Sequence, residues 1–165
     1  MIALLGYQFT EFRRTRYWLG VLIGYLAFLL LFYLRTARNH PGSYGNAGVA
    51  LLAAAIGLGW TLAASQDPAR WQIMVVAAGS RDRAVLSRVL LAFALVVPLS
   101  ALAMLVAASH KLVTESVLSL VAALLLYLVV GLIGCLVGTE LGRRMSPRSI
   151  MPITVVVSLI LLIMV

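Results

Sequence analysis

The feature that most restricts this chain is the recurrence of long, unbroken apolar runs joined by short connections rich in arginine. Runs over residues 17–34, 47–64, 84–107 and 116–138 each approach the ~20 apolar residues that carry a helix across the hydrocarbon layer of a bilayer. A fifth, 150–165, has sixteen residues; at 1.5 Å per residue it reaches about 24 Å, short of the ~30 Å core. The runs are continuous, whereas a membrane β-barrel alternates polar and apolar residues over ~10-residue segments. Composition agrees: 63% of residues are hydrophobic and 11% charged, against roughly half and a quarter in a soluble domain. The expected fold is an all-α polytopic membrane protein, an interfacial N-terminal helix followed by about five transmembrane helices.

The leading segment, 1–16, carries Ile2, Leu5, Phe9 and Phe12 at helical spacing, with Tyr7, Gln8, Glu11 and Arg14 elsewhere. This predicts an amphipathic helix lying in the interface with that apolar stripe down. Its arginines follow the apolar part and a longer apolar run comes next, the reverse of a secretory signal, so it is expected to stay in the mature protein. Residues 17–165 then form the membrane domain. Tyr17, Trp18 and Tyr33 fall where interfacial aromatics belong, and Pro98 is expected to kink the third run.

Lys and Arg set the orientation. One side of the predicted membrane holds Arg13, Arg14, Arg16, Arg70, Arg81, Arg83, Arg88, Arg143, Arg144 and Arg148; the other holds Arg35, Arg38 and Lys111. The positive-inside rule therefore places the N-terminus and the 65–83 connection in the cytoplasm. The formal charge of +8 is accounted for by this topology signal, and no nucleic-acid partner is expected.

The 65–83 connection is longer than two spans need, since four to six residues suffice. Asp67 is a good N-cap, and Pro68 suits the first helical position, where a missing N–H costs nothing. Trp71, Met74, Val75 and Ala78 follow at i, i+3, i+4 and i+7, an amphipathic stripe. Gly79 is a natural stop, and Ser80, with Asp82 in the next turn, starts the following helix. The segment 67–79 thus predicts a helix of about three turns at the membrane surface. It either anchors the connection to the interface or presents a rigid face to a partner.

An interfacial helix ending in arginines, two spans, and a surface helix closing on AGSRDRAVLSRVLLAF together resemble the membrane subunit of an ABC-2 type ABC transporter. The resemblance rests on layout across most of the chain. It implies a coupling helix over 68–78 that docks on a separate ABC-type ATPase subunit, and an elbow helix over 2–14. It also implies a second membrane subunit, identical or different, within a bacterial cytoplasmic membrane. The partner-binding residues would be Asp67, Arg70, Trp71, Met74, Val75, Arg81 and Arg83. The arginines would meet acidic groups on the ATPase, and Trp71 and Met74 would fill its groove or the interface. The family usually has six spans. The fifth run here is short and nothing follows it, so the sequence suggests a fragment, or a partner that supplies the rest.

The chain carries no G-x-x-x-x-G-K-[ST], H-E-x-x-H or G-x-S-x-G. It is therefore expected to be no enzyme itself and to hold no cofactor, ATP and magnesium belonging to the partner. His40 and His110 have no ligand-like spacing, and Cys135 reads as a small packed residue. Charged residues are missing from the middle of the predicted spans, unlike self-contained ion-coupled transporters. That fits a permease driven by a partner's ATP cycle. It also fits the rival expectation, a non-transporting structural or assembly subunit. Gly20 and Gly24 in the first run, and Gly131, Gly134 and Gly138 in the fourth, mark faces for close helix packing, within the chain or between two copies.

Overall fold

A computed structural model describes residues 2–36, 43–64, 68–109 and 117–144, and all of its regular structure is helical. The six helices are α1 (Ile2–Arg14), α2 (Tyr17–Thr36), α3 (Ser43–Ala64), α4 (Pro68–Ala78), α5 (Arg81–Ser109) and α6 (Val117–Arg144). Three are long and apolar enough to cross a membrane, over Ala47–Ala64, Arg81–Leu105 and Leu118–Arg144. In α2 the apolar stretch Trp18–Leu30 is shorter. The fifth apolar run, Asp67, both histidines, Lys111, Arg38 and Arg148 lie outside the described residues.

The centre is a triangle of α3, α5 and α6, with α2 laid against α3. Glycine makes the α3–α6 contact close. A Cβ on Gly59 would come 2.6 Å from the Cys135 carbonyl, one on Gly134 would come 2.7 Å from Ala55 Cβ, and one on Gly138 would run into the Ile56 carbonyl. One on Gly142 would come 2.6 Å from the Trp60 ring. Residues 134, 138 and 142 are spaced by four, so they share one helix face. With no apolar driving force between helices in lipid, such backbone approach is what association rests on. Gly131 has a different partner, Val96 of α5, whose Cγ1 lies 2.5 Å from where a Cβ would stand. Among the described residues, nothing lies within 4 Å of that position at Gly20 and Gly24 of α2.

The same contacts give direction. Along α3 and α6 the contacting positions rise together, from Gly48 with Tyr127 to Ala63 with Gly142, so the two helices run parallel. Along α5, Ser87 meets Gln8 of α1 and Leu99 meets Tyr25 of α2, while Val96 meets Gly131 of α6 and Arg88, nearer the start of α5, lies within reach of the charge of Arg143 at the end of α6. Helices α2 and α5 therefore run together, against α3 and α6. This up-and-down order gathers α1, α4, the start of α5 and the ends of α3 and α6 at one end of the bundle.

Helix α1 departs from the expected burial. Gln8 and Phe12 are buried, with Leu5 and Glu11 half-buried, while Phe9 is exposed beside Tyr7. The reason is tertiary: α1 packs on α4 and α5, and those helices offer polar partners that the apolar stripe could not use. The join to α2 is tight. Thr15 Oγ1 donates to the Phe12 carbonyl at 2.8 Å, Arg16 takes a left-handed φ of 51°, and the Phe12 and Trp18 rings sit 6.1 Å apart.

Candidate functional site

Local chemistry sets the limits of α4. It begins at Pro68 and ends as Gly79 turns to a φ of +73°, donating its N–H to the Val76 carbonyl at 3.1 Å. Only glycine reaches that region without a Cβ clash. Ser80 then caps α5: its Oγ accepts the Arg83 N–H at 3.3 Å, and its carbonyl accepts the Ala84 N–H. Two residues thus join α4 to α5, leaving little slack between them.

Three side-chain contacts hold α4 against its neighbours. Gln8 Nε2 of α1 donates to Ser87 Oγ of α5 at 2.9 Å and reaches Met74 Sδ of α4 at 3.5 Å. All three residues are buried, and Ser87 Oγ donates its own hydrogen bond to the Ala84 carbonyl at 2.8 Å. The Arg88 guanidinium of α5 lies 3.7 Å from the centroid of the Trp71 ring of α4. Arg70 of α4 reaches Glu11 of α1 at 2.8 Å. These differ in weight. The Arg70–Glu11 pair stands at the surface, the arginine side chain 55% exposed, and such pairs contribute about 0–1 kcal/mol. Arg88 is buried, and a desolvated cation over a tryptophan face is worth about 2 kcal/mol. The Gln8–Ser87 bond adds about 1 kcal/mol. The aromatic stack therefore dominates the clasp.

This arrangement corrects the expected orientation of the surface helix. Met74 is 3% exposed, with Trp71, Val75 and Ala78 half-buried. The stripe faces α1 and α5, so Met74 is not available to fill a partner's groove. The reason is that α1 and α5, lying alongside, cover that stripe within the chain. What α4 turns outward is Ala69, Arg70, Gln72, Ile73, Val76 and Ala77. Ile73 is 69% exposed and Val76 is 81% exposed. Sequence reasoning named Arg70 but missed Ile73 and Val76; with Ala69 and Ala77 they make a second apolar stripe at helical spacing, and periodicity alone does not say which stripe is covered. It also missed Arg88, expected among the surface arginines, and Gln8.

Arg81, Asp82 and Arg83 are exposed just beyond the turn, and Arg70 is exposed on α4 itself. At the end of α6, Glu140 bonds Arg143 at 2.9 Å and Arg144 at 3.0 Å, local pairs three and four residues apart. Among the described residues no group of three or more His, Cys, Asp or Glu is placed to hold a metal ion. Cys135 is buried with its carbonyl against Gly59. Gly134 and Gly138 are spent on packing inside the chain, whereas Gly20 and Gly24 meet none of the described residues. No protein-family model, no curated protein and no solved structure matches this chain.

Proposed function

We propose that this chain is the membrane-spanning subunit of an ATP-driven exporter of the ABC-2 type, with α4 as the element through which a separate ATPase subunit moves it. In this reading the end that gathers α1 and α4 faces the cytoplasm. Helix α2 and the run 150–165 complete five spans, and the chain pairs with a second membrane subunit. The observation that supports it is the construction of α4. The helix is clasped to α1 and α5, joined to α5 through two residues, and turns outward an apolar pair, Ile73 and Val76, with Arg70 also exposed on it and Arg81 and Arg83 exposed just beyond the turn. A helix fastened in this way passes a displacement into α5, where a loose loop would absorb it. The assignment of Trp71 and Met74 as groove-filling residues gives way to Ile73 and Val76.

The test is a mild-detergent pull-down of the chain from its native cells, with the eluate assayed for vanadate-sensitive ATP hydrolysis. A P-loop ATPase that co-purifies and is lost in the Arg81→Glu/Arg83→Glu and Ile73→Glu/Val76→Glu variants supports docking. Retention of the ATPase in both variants removes α4 as the docking element.

The exposed Ile73 and Val76 also favour a second reading, an assembly subunit whose α4 dips that face into the lipid interface. Other membrane subunits in the eluate, with no ATPase, select it. Replacing Ile73 and Val76 with serine would then weaken membrane seating without altering any ATPase rate.

A further inference from the structure

Helix α5 runs from Arg81 to Ser109 with Pro98 inside it. A proline there cannot donate to the carbonyl four residues back, and its ring crowds that carbonyl. In a membrane helix the freed groups are met by neighbouring helices or by Ser and Thr side chains. Both occur here. Ser100 Oγ donates to the Val96 carbonyl at 3.0 Å, a back-bond that itself favours bending. Tyr25 of α2 donates its hydroxyl to the Leu99 carbonyl, also at 3.0 Å. Tyr25, Val96, Leu99 and Ser100 are all buried. A polar group is thus brought from a different helix to the residue after the proline, inside an otherwise apolar bundle. Gly131 of α6 lies opposite Val96, whose Cγ1 packs where a Cβ would stand.

The position of Pro98 divides what α5 holds. Below it, Ser87 and Arg88 fasten α5 to α1 and α4. Above it, α5 continues to Ser109 within the bundle. We propose that α5 is jointed at Pro98, and that the Tyr25 hydroxyl on the Leu99 carbonyl is a latch holding the joint in the arrangement seen. With the latch released, the lower half of α5 swings with α4 as one piece relative to the upper half. This device works whichever partner α4 meets, so it stands apart from the transport reading.

The experiment uses the full chain in lipid nanodiscs, with spin labels at Val76→Cys on α4 and Leu102→Cys on upper α5, both exposed positions. Native Cys135 is buried and does not compete for label. Pulsed EPR distances are read together with hydrogen exchange over residues 94–103. Removing the hydroxyl with Tyr25→Phe is expected to raise the population of a second distance, and the exchange rate, by about 3- to 20-fold, the range for one interhelical bond in a membrane. Pro98→Ala restores a continuous helix and is expected to narrow the distance distribution, alone and combined with Tyr25→Phe. An unchanged distribution in Tyr25→Phe overturns the latch. A Pro98→Ala variant as broad as the parent overturns the joint, and this second arm decides even where Tyr25→Phe fails to insert.

Discussion

At the scale of single residues, the glycines show how one residue type serves opposite ends. Gly134, Gly138 and Gly142 let α6 approach the α3 backbone, and Gly59 returns the favour from α3. Gly20 and Gly24 meet none of the described residues. Adding bulk should therefore separate the two sets. Gly138→Val forces a side chain into the Ile56 backbone and is expected to cost at least about 1–3 kcal/mol, the usual penalty for overpacking. Gly24→Ala should be stabilising, by about 0.5–1 kcal/mol, since alanine is the better helix former. Thermal unfolding in detergent, followed by circular dichroism, compares them; equal losses would mean that α3 and α6 do not meet as described. Gly79→Ala belongs to a third kind. It has room, but its φ of +73° carries a cost of about 1–2 kcal/mol for a residue with a Cβ.

Residue chemistry also explains what the sequence could and could not disclose. The bounds of α4 were legible because Pro68 and Gly79 act locally, through φ and a missing N–H. The stripe Trp71, Met74, Val75 and Ala78 was legible as well, because periodicity is local. What it faces is not local: an apolar stripe suits lipid, a partner or the chain's own neighbour equally, and only the position of α1 decides. Gln8 shows the same limit more sharply. By hydropathy it belongs outside, and it is buried because Ser87, seventy-nine residues away, accepts a hydrogen bond from its side-chain N–H. Of the glycines, spacing announced close packing but could not say which faces meet. Three apolar, membrane-length helices were the most legible feature of all, because length and continuity alone define them.

At the scale of the element, α4 is held by contacts of unequal strength, and this inequality is testable. Helix α4 is too short to be stable by itself, since isolated helices under ~12–15 residues are marginal in water. Its order must come from its clasp. Trp71→Leu removes the face on which Arg88 stacks, while keeping apolar bulk. It is expected to release about 1–2 kcal/mol of local stability, seen as roughly 5- to 30-fold faster hydrogen exchange across α4. Arg70→Ala breaks only the exposed pair with Glu11 and should accelerate exchange by no more than about fivefold. If Arg70→Ala proves the more damaging, the ion pair and not the aromatic stack fastens the helix. Either way, the element whose motion would matter to a partner is held by a few side chains from α1 and α5.

At the scale of the whole molecule, the direction of each helix follows from which residues touch, and this gathers the arginines. Arg13, Arg14, Arg70, Arg81, Arg83, Arg143 and Arg144 share one end, because α2 and α5 run against α3 and α6. Placing that end in the cytoplasm is a further step, taken from the positive-inside rule. The two steps separate experimentally. Gln72→Cys on α4 and Arg144→Cys at the end of α6 are both exposed positions, and native Cys135 is buried. In intact cells a membrane-impermeant maleimide is expected to label neither, and to label both once the membrane is opened. Labelling of both from outside would invert the orientation while leaving the bundle intact. Labelling of one alone would separate α4 from the end of α6 and break the parallel pairing of α3 with α6 on which the whole arrangement depends.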